Sequence, residues 1–261
     1  MEIKAQYEKW HSTISDYIDE KYYNWILNNL KPDSGDIALD VACGKGHLLR
    51  FYEDIGLTAF GIDISIVALR EAKKNLKSSH LVLASGEYLP FKESSFNIIT
   101  CLGSLEHFIY PERGVNEMSQ ALKKDGLAYV LLPNAYFIGH IYMVYKTGEP
   151  PDEGGQSFSE CFQTRRSWER LLCSNGLPVI QCLKYNKISK ASKKVSYSVR
   201  FLYNIFVAPI LPINLSYAFM FVCKKHNAFS AHGCSDNCQK TPDVKLLIVG
   251  TGQLKNIGLP V

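Results

Sequence analysis

From residue 37 onward the chain alternates between short runs in which nearly every position is apolar and longer runs in which apolar positions recur every three or four. The runs "IALDVAC", "TAFGIDI", "HLVLAS", "FNIITCLG" and "LAYVLLPN" predict five buried strands. Between them, "GHLLRFYEDIG" predicts a helix closed by Gly56, and "IVALREAKKNL" one capped by Ser65. "PERGVNEMSQALKKDG" reads as a helix with proline near its start and glycine at its end. Farther on, "TRRSWERLLCSNG" predicts a helix, and "PVIQCLKY" and "SYAFMFVCKK" predict two more strands. Strands apolar on both faces and separated by helices predict an α/β fold with a mostly parallel sheet, covered on both sides. Ligands in such sheets bind beyond the carboxyl ends of the strands.

Three regions stand outside this rhythm. Residues 1–34, with "YNWILNNL" at helical spacing, read as a helical cap over the ligand edge of the sheet. Residues 135–163 read as a long irregular insertion rich in aromatics, Gly and Pro, a lid or substrate wall rather than filler. Residues 227–261 read as an appendage to a main domain of residues 35–226, which carries a second, helical insertion at 190–210. No internal repeat interrupts this plan.

The stretch "FLYNIFVAPILPINLSYAFMFV", residues 201 to 222, has no charged residue and is long enough to cross a bilayer. Pro209 and Pro212 break it near its middle, so a helix to about Ala208, a turn and a buried strand from Tyr217 are expected instead. Lys184, Lys187, Lys190, Lys193, Lys194 and Arg200 precede it with no acid between them. Basic and aromatic residues together predict peripheral membrane contact through residues 184–222.

Composition excludes some classes. At 46% apolar and 21% charged the chain is ordinary globular material. A net charge of +4 is too mild to imply a nucleic-acid partner. The eight cysteines have no framework spacing, and Cys43, Cys101 and Cys223 sit inside apolar runs where a thiol behaves as a small hydrophobe. With a polar, charged N-terminal stretch, this usage predicts a reducing, cytoplasmic protein at most peripheral to a membrane.

The chemistry begins at "LDVACGKG". A phosphate-binding G-x-x-x-x-G-K-[ST] loop is absent, and the third glycine of a dinucleotide fingerprint is replaced by His47. What is left is D-x-A-C-G-x-G. Taken with "GIDIS", "SGEYLPF", "FNIITCLGSLEHF" and "LKKDGLAYVLLPN" in that order, it resembles the class I S-adenosylmethionine-dependent methyltransferases, in the group that includes quinone-biosynthesis methyltransferases. The likeness covers residues 35 to 135 and extends more weakly to about 225. It implies a doubly wound Rossmann-like sheet of seven strands with the last antiparallel, and S-adenosylmethionine as cofactor.

By that resemblance, Asp63, nineteen residues after Gly44, would accept the ribose hydroxyls, and Asp40 would orient the cationic methionine end. Ala42, Gly44 and Gly46 would give close backbone access, and Lys45 and Leu102 main-chain contacts. Ser85 and Gly86 stand where the family often carries an acid that takes the adenine amino group, so that contact would be uncharged here. Transfer from a sulfonium needs alignment and, for a hydroxyl acceptor, a base. His107 in "SLEHF" and His140 in the insertion are the candidates; a structural part for each, and for the nearby tyrosines, is the competing reading.

A small-molecule or glycan-type acceptor methylated on oxygen is the leading expectation. A quinone-like acceptor, a non-catalytic cofactor-binding module and, more remotely, an NAD-dependent oxidoreductase compete with it. The glycan expectation comes from "PDVKLLIVGTGQLK" in the tail, which resembles the opening strand and turn of retaining glycosyltransferases. In "HGCSDNC", His232, Cys234 and Cys238 are too irregularly spaced to define a zinc site, and no metal is expected.

Overall fold

The computed structural model describes Glu8 and residues 20–149, 161–186 and 202–225. Its centre is a seven-stranded sheet in the order β3-β2-β1-β4-β5-β7-β6. The strands are β1 (Ile37–Val41), β2 (Thr58–Asp63), β3 (His80–Leu83), β4 (Phe96–Leu102), β5 (Leu122–Pro133), β6 (Val179–Tyr185) and β7 (Ala218–Lys224). Pairing from β3 through β5 is parallel, and β7 runs antiparallel to both β5 and β6. The doubly wound, Rossmann-like sheet with an antiparallel last strand is therefore as expected.

Alternation along each strand builds two cores. Leu39, Val41, Ile99, Cys101, Val130 and Leu132 face one way, against Val115 and Met118 of α4 (Pro111–Ala121) and Trp168 and Leu172 of α6 (Arg165–Ser174). Ala38, Ile98, Tyr129, Leu131 and Met220 face the other, against α1 (Glu20–Leu30), α2 (His47–Asp54) and α3 (Ile66–Asn75). Burial on both faces is why the strands read as near-continuous apolar runs. Cys43, Cys101 and Cys223 are buried thiols within this core.

Local chemistry sets the element ends. The Ser65 hydroxyl accepts from the Ala68 amide at 3.2 Å, a cap worth about 1 kcal/mol. The helix expected to run through "LKKDG" instead stops at Ala121, because Leu122 pairs with Phe96 and opens β5. Gly126 is consequently no helix cap: a Cβ there would lie 2.8 Å from the Asn97 carbonyl, so glycine lets β5 run close beside its neighbour.

The insertion after Asn134 is more regular than its composition suggested. Ile138–Thr147 forms α5, closed by Gly148 at φ 75°. The apolar stretch after residue 201 divides as expected, into a π-helical turn (Tyr203–Val207), a proline-bounded turn and the buried strand β7. Among the described residues no helix is long and apolar enough to cross a membrane. The tail 227–261, with its glycosyltransferase-like stretch and its His–Cys trio, lies outside the described residues.

Candidate functional site

β1 delivers Asp40 to the ligand edge, on the face shared with α1, α2 and α3. It sits opposite Thr100 of β4 in register, and the Thr100 hydroxyl donates to its Oδ1 at 2.7 Å. The Tyr52 hydroxyl of α2 lies 3.3 Å behind Thr100 and donates to it. Asp40 is only 5% exposed. Burial pushes its carboxyl up to about 7, the Thr100 bond pulls it partly back, and the Asp63 charge pushes it up further. A desolvated carboxylate with one neutral donor is a site that favours a cation.

Beyond Val41 the chain turns through three left-handed residues, Ala42 at φ 59°, Gly44 at 53° and Gly46 at 74°. The turn is held from β2. The Cys43 amide donates to the Ile62 carbonyl at 2.8 Å, and the Gly44 amide to Asp63 Oδ2 at 2.9 Å. The other Asp63 oxygen accepts from the Ser65 amide at 2.8 Å, at the start of α3. Asp63 thus pins the glycine loop to the next helix, and each of its oxygens has a second lone pair.

Asp40, Ala42 and Leu102 line one small open cleft of about 80 Å³ with Cys43 and Leu48. Its remaining wall is Tyr22 and Tyr23 of α1, the helix expected to cover this edge. Tyr22 packs edge-on to Tyr23 and Tyr185 at 5.0 and 5.4 Å between ring centres. Burial, then the neighbouring tyrosines, Asp40 and Glu106, hold its hydroxyl well above the usual phenol range. Sequence reasoning did not single out Tyr22, Tyr23, Tyr52 or Thr100. The paired tyrosines at the start of an apolar-faced helix were the available signal; for Thr100 and Tyr52 only the strand register reveals the partner.

The other expected residues surround this cleft. Lys45 is half-buried within the glycine loop. Ser85 is half-buried; its hydroxyl accepts from the Glu87 amide at 3.2 Å, which spends one lone pair. Gly86 lies under the Phe108 ring, where a Cβ would come within 2.4 Å of Cζ and 2.9 Å of Val41 Cγ1. Glu87, buried, accepts from the Tyr110 amide at 2.9 Å and ties this loop to the start of α4.

The two histidines have different settings. His107 closes the 3-10 turn Leu105–His107 after β4, and burial pulls its imidazole down to about 4. His140 sits on α5 among aromatic rings, 5.1 Å from Phe137 and 6.4 Å from Tyr217 between centres. It does not line the cleft that Asp40 lines. Among the described residues no group of histidine, cysteine and acids could hold a metal ion.

Residues 39–130 match the model of a methyltransferase domain. An uncharacterized protein of Methanocaldococcus jannaschii is 32% identical over 53% of this chain and 54% of its own. The human mitochondrial arginine-hydroxylase NDUFAF5 is 30% identical over 54% and 41%. Demethylmenaquinone methyltransferase of Thermotoga maritima is 28% identical over 59% and 69%. The chain spans about half the length of the first two of these relatives. In fold it is similar to a chain of the complex between the Haloferax volcanii Trm112 methyltransferase activator and a methyltransferase, with TM-score 0.65, 14% identity, and 86% and 98% of the two chains covered. The domain match, the order of motifs around Asp40 and Asp63 and the strand order agree: residues 39–130 carry a methyltransferase domain, for which S-adenosylmethionine is the cofactor, at the centre of a Rossmann-like sheet.

Proposed function

We propose that the protein transfers a methyl group to an oxygen of a small-molecule or glycan-type acceptor that carries an apolar portion. The observation that carries this is the pair of buried acids at the ends of β1 and β2, Asp40 facing the cleft and Asp63 holding the glycine loop. The set suits the cofactor: a desolvated carboxylate for its cationic end, a second carboxylate with outer lone pairs for diol hydroxyls, and the small Ala42 where backbone must approach. Bound there, S-adenosylmethionine supplies an activated methyl carbon on a sulfonium.

The chain's own residues then have four tasks. Asp40 balances the positive charge of the methionine portion, and Tyr22 and Tyr23 exclude water from the same wall. Asp63 takes the ribose hydroxyls, with Gly44, Lys45, Gly46 and Leu102 offering main chain. Ser85 and Gly86 border the adenine, Ser85 through its hydroxyl. His107 stays neutral at physiological pH, but a conjugate acid near 4 gives little drive for removing a hydroxyl proton. We therefore assign His107 to holding the acceptor-side turn, and His140, on α5 outside the Asp40 cleft, is the second candidate for proton removal.

The exposed apolar side chains of α5 favour a lipid-linked or quinone-like acceptor over a wholly polar sugar. The likeness to an arginine-hydroxylase supports a second reading, a cofactor-binding domain whose reaction is not methyl transfer. Purified protein with methyl-labelled S-adenosylmethionine, offered a polar sugar set and a lipid extract, separates them. Label entering the organic phase with release of S-adenosylhomocysteine is the expected result. Micromolar cofactor binding with no label in any acceptor favours the second reading, and absence of binding by calorimetry overturns both.

A further inference from the structure

We infer that the sheet edge beyond β5 and β6 docks on the surface of an anionic lipid bilayer. Pro133 at the end of β5 and Tyr185 at the end of β6 both pair with Ala218 at the start of β7, so α5 and the segment before β7 leave the sheet at one edge.

The edge is held in place. The Asn134 side-chain Nδ2 donates to the carbonyls of Asn214 and Ser216 at 2.9 and 2.8 Å, and the Phe137 and Tyr217 rings meet at 5.3 Å. Lys184 Nζ donates to the Leu211 carbonyl at 2.9 Å, and Asn186 to that of Ala208 at 3.2 Å. These bonds satisfy main-chain carbonyls, and Ala208 and Leu211 anchor the segment by burying their side chains.

What points outward is apolar. None of the ten residues of α5 is buried, and Ile138, Ile141, Tyr142, Met143, Val144 and Tyr145 are exposed, Tyr145 to 87%. In the segment before β7, Leu202, Ile205, Phe206, Val207 and Ile210 are exposed as well, Ile210 to 80%. Soluble surfaces carry single apolar residues freely but rarely whole segments of them.

Charge selects the occupant. From residue 170 through residue 225 the sequence has nine Lys or Arg and neither Asp nor Glu. Five of the nine, Lys187, Lys190, Lys193, Lys194 and Arg200, fall in the link between β6 and the apolar turn. In sequence the acids closest to α5, Glu149, Asp152, Glu153 and Glu160, all follow it, so the contact is assigned to residues 202–211 with α5 at its border. A second copy would bring two such basic links together. A bilayer brings lipid phosphates to them and an apolar interior to Phe206 and Ile210. With no spanning helix among the described residues, the edge lies on the membrane.

The test is co-sedimentation of the full chain with vesicles of phosphatidylcholine alone and with added phosphatidylglycerol. Binding is expected to the anionic vesicles, to weaken with salt, and to fall about tenfold or more in a Phe206→Asp, Ile210→Asp double variant. That variant keeps wild-type affinity for S-adenosylmethionine, so a failure here is distinct from a failure of the cofactor reading. No binding to anionic vesicles, or equal binding by the variant, overturns the inference. So does light scattering showing that the double substitution dissociates a dimer while vesicles capture neither form.

Discussion

The Thr100 hydroxyl donates to Asp40 Oδ1 at 2.7 Å, across two parallel strands in register. Tyr52 donates to Thr100 from behind, so a short chain of hydroxyls supports a carboxylate that has otherwise lost its water. One neutral hydrogen bond does not offset that loss, and Asp40 is held near 7. The site keeps a destabilised anion at the strand end to which we assign the cationic end of the cofactor.

Stability should therefore carry a signature of Asp40. An acid whose folded value is raised binds its proton in the folded state after the unfolded chain has released it, so stability falls as pH rises from about 4 to about 7 and is flat above. Asp40→Asn keeps an acceptor for Thr100 and removes the charge. We expect it to stabilise the protein at pH 8 by about 2 kcal/mol, with no gain at pH 4, in thermal melts at both values.

The same group predicts a pH-dependent affinity. Only the ionised carboxylate attracts the cationic end of the cofactor, so affinity for S-adenosylmethionine should drop about tenfold per unit below pH 7. S-adenosylhomocysteine, which lacks the sulfonium charge, should respond less. Calorimetric titrations at pH 8, 7 and 6 check this, and Asp40→Asn should be weak and pH-independent.

Asp63→Ala removes the acceptor for the Gly44 and Ser65 amides together with the acid assigned to ribose. Affinity for S-adenosylmethionine should fall more than tenfold, a loss of about 1.4 kcal/mol or more, while far-ultraviolet dichroism is retained. Unchanged affinity in the same titration removes Asp63 from the cofactor site.

Ala42 holds a left-handed backbone at φ 59°, a conformation that costs a residue with a Cβ about 1–2 kcal/mol. Ala42→Gly removes that cost but adds freedom to the unfolded chain. The net expectation is a gain of about 0.5 kcal/mol, or one to two degrees in Tm. Equal or lower Tm refutes the strain.

Glu53 stabilises the loop before β3. Burial alone would raise its carboxyl, but the amides of Lys77, Ser78 and Ser79 and the Ser79 hydroxyl all donate to it and bring it down to about 2. This contribution is present above about pH 4.5 and is lost as pH falls toward 2. Glu53→Gln should cost about 1 kcal/mol at pH 7 and nothing at pH 2, by denaturant unfolding.

The strands and the glycine loop were legible because burial on both faces and left-handed backbone leave marks on residue type: Val, Ile and Leu in the first case, Gly44 and Gly46 in the second. Other features left none. Nothing local distinguishes "LKKDG" as strand, since Leu122 is extended only because Phe96 lies beside it. The Thr100 partnership depends on a register between residues sixty apart. Tyr22 acquires its place at the cleft from the packing of a whole helix. α5 was read as irregular because its apolar residues surround the helix, which removes the one-sided pattern by which a surface helix is identified.

The strand order also bears on how the protein is made. β6 is joined to the sheet through β7 alone, and β7 is synthesised after it yet lies between it and β5. On the ribosome, β1 to β5 can assemble with both acids in place while β6 waits without a neighbour. The hydrogen-bonding edge of β5 that β7 will pair with stays open until Lys224 has emerged. During that interval the nascent chain shows an unpaired strand edge beside its own apolar rim, and this is where we would look for chaperone contact.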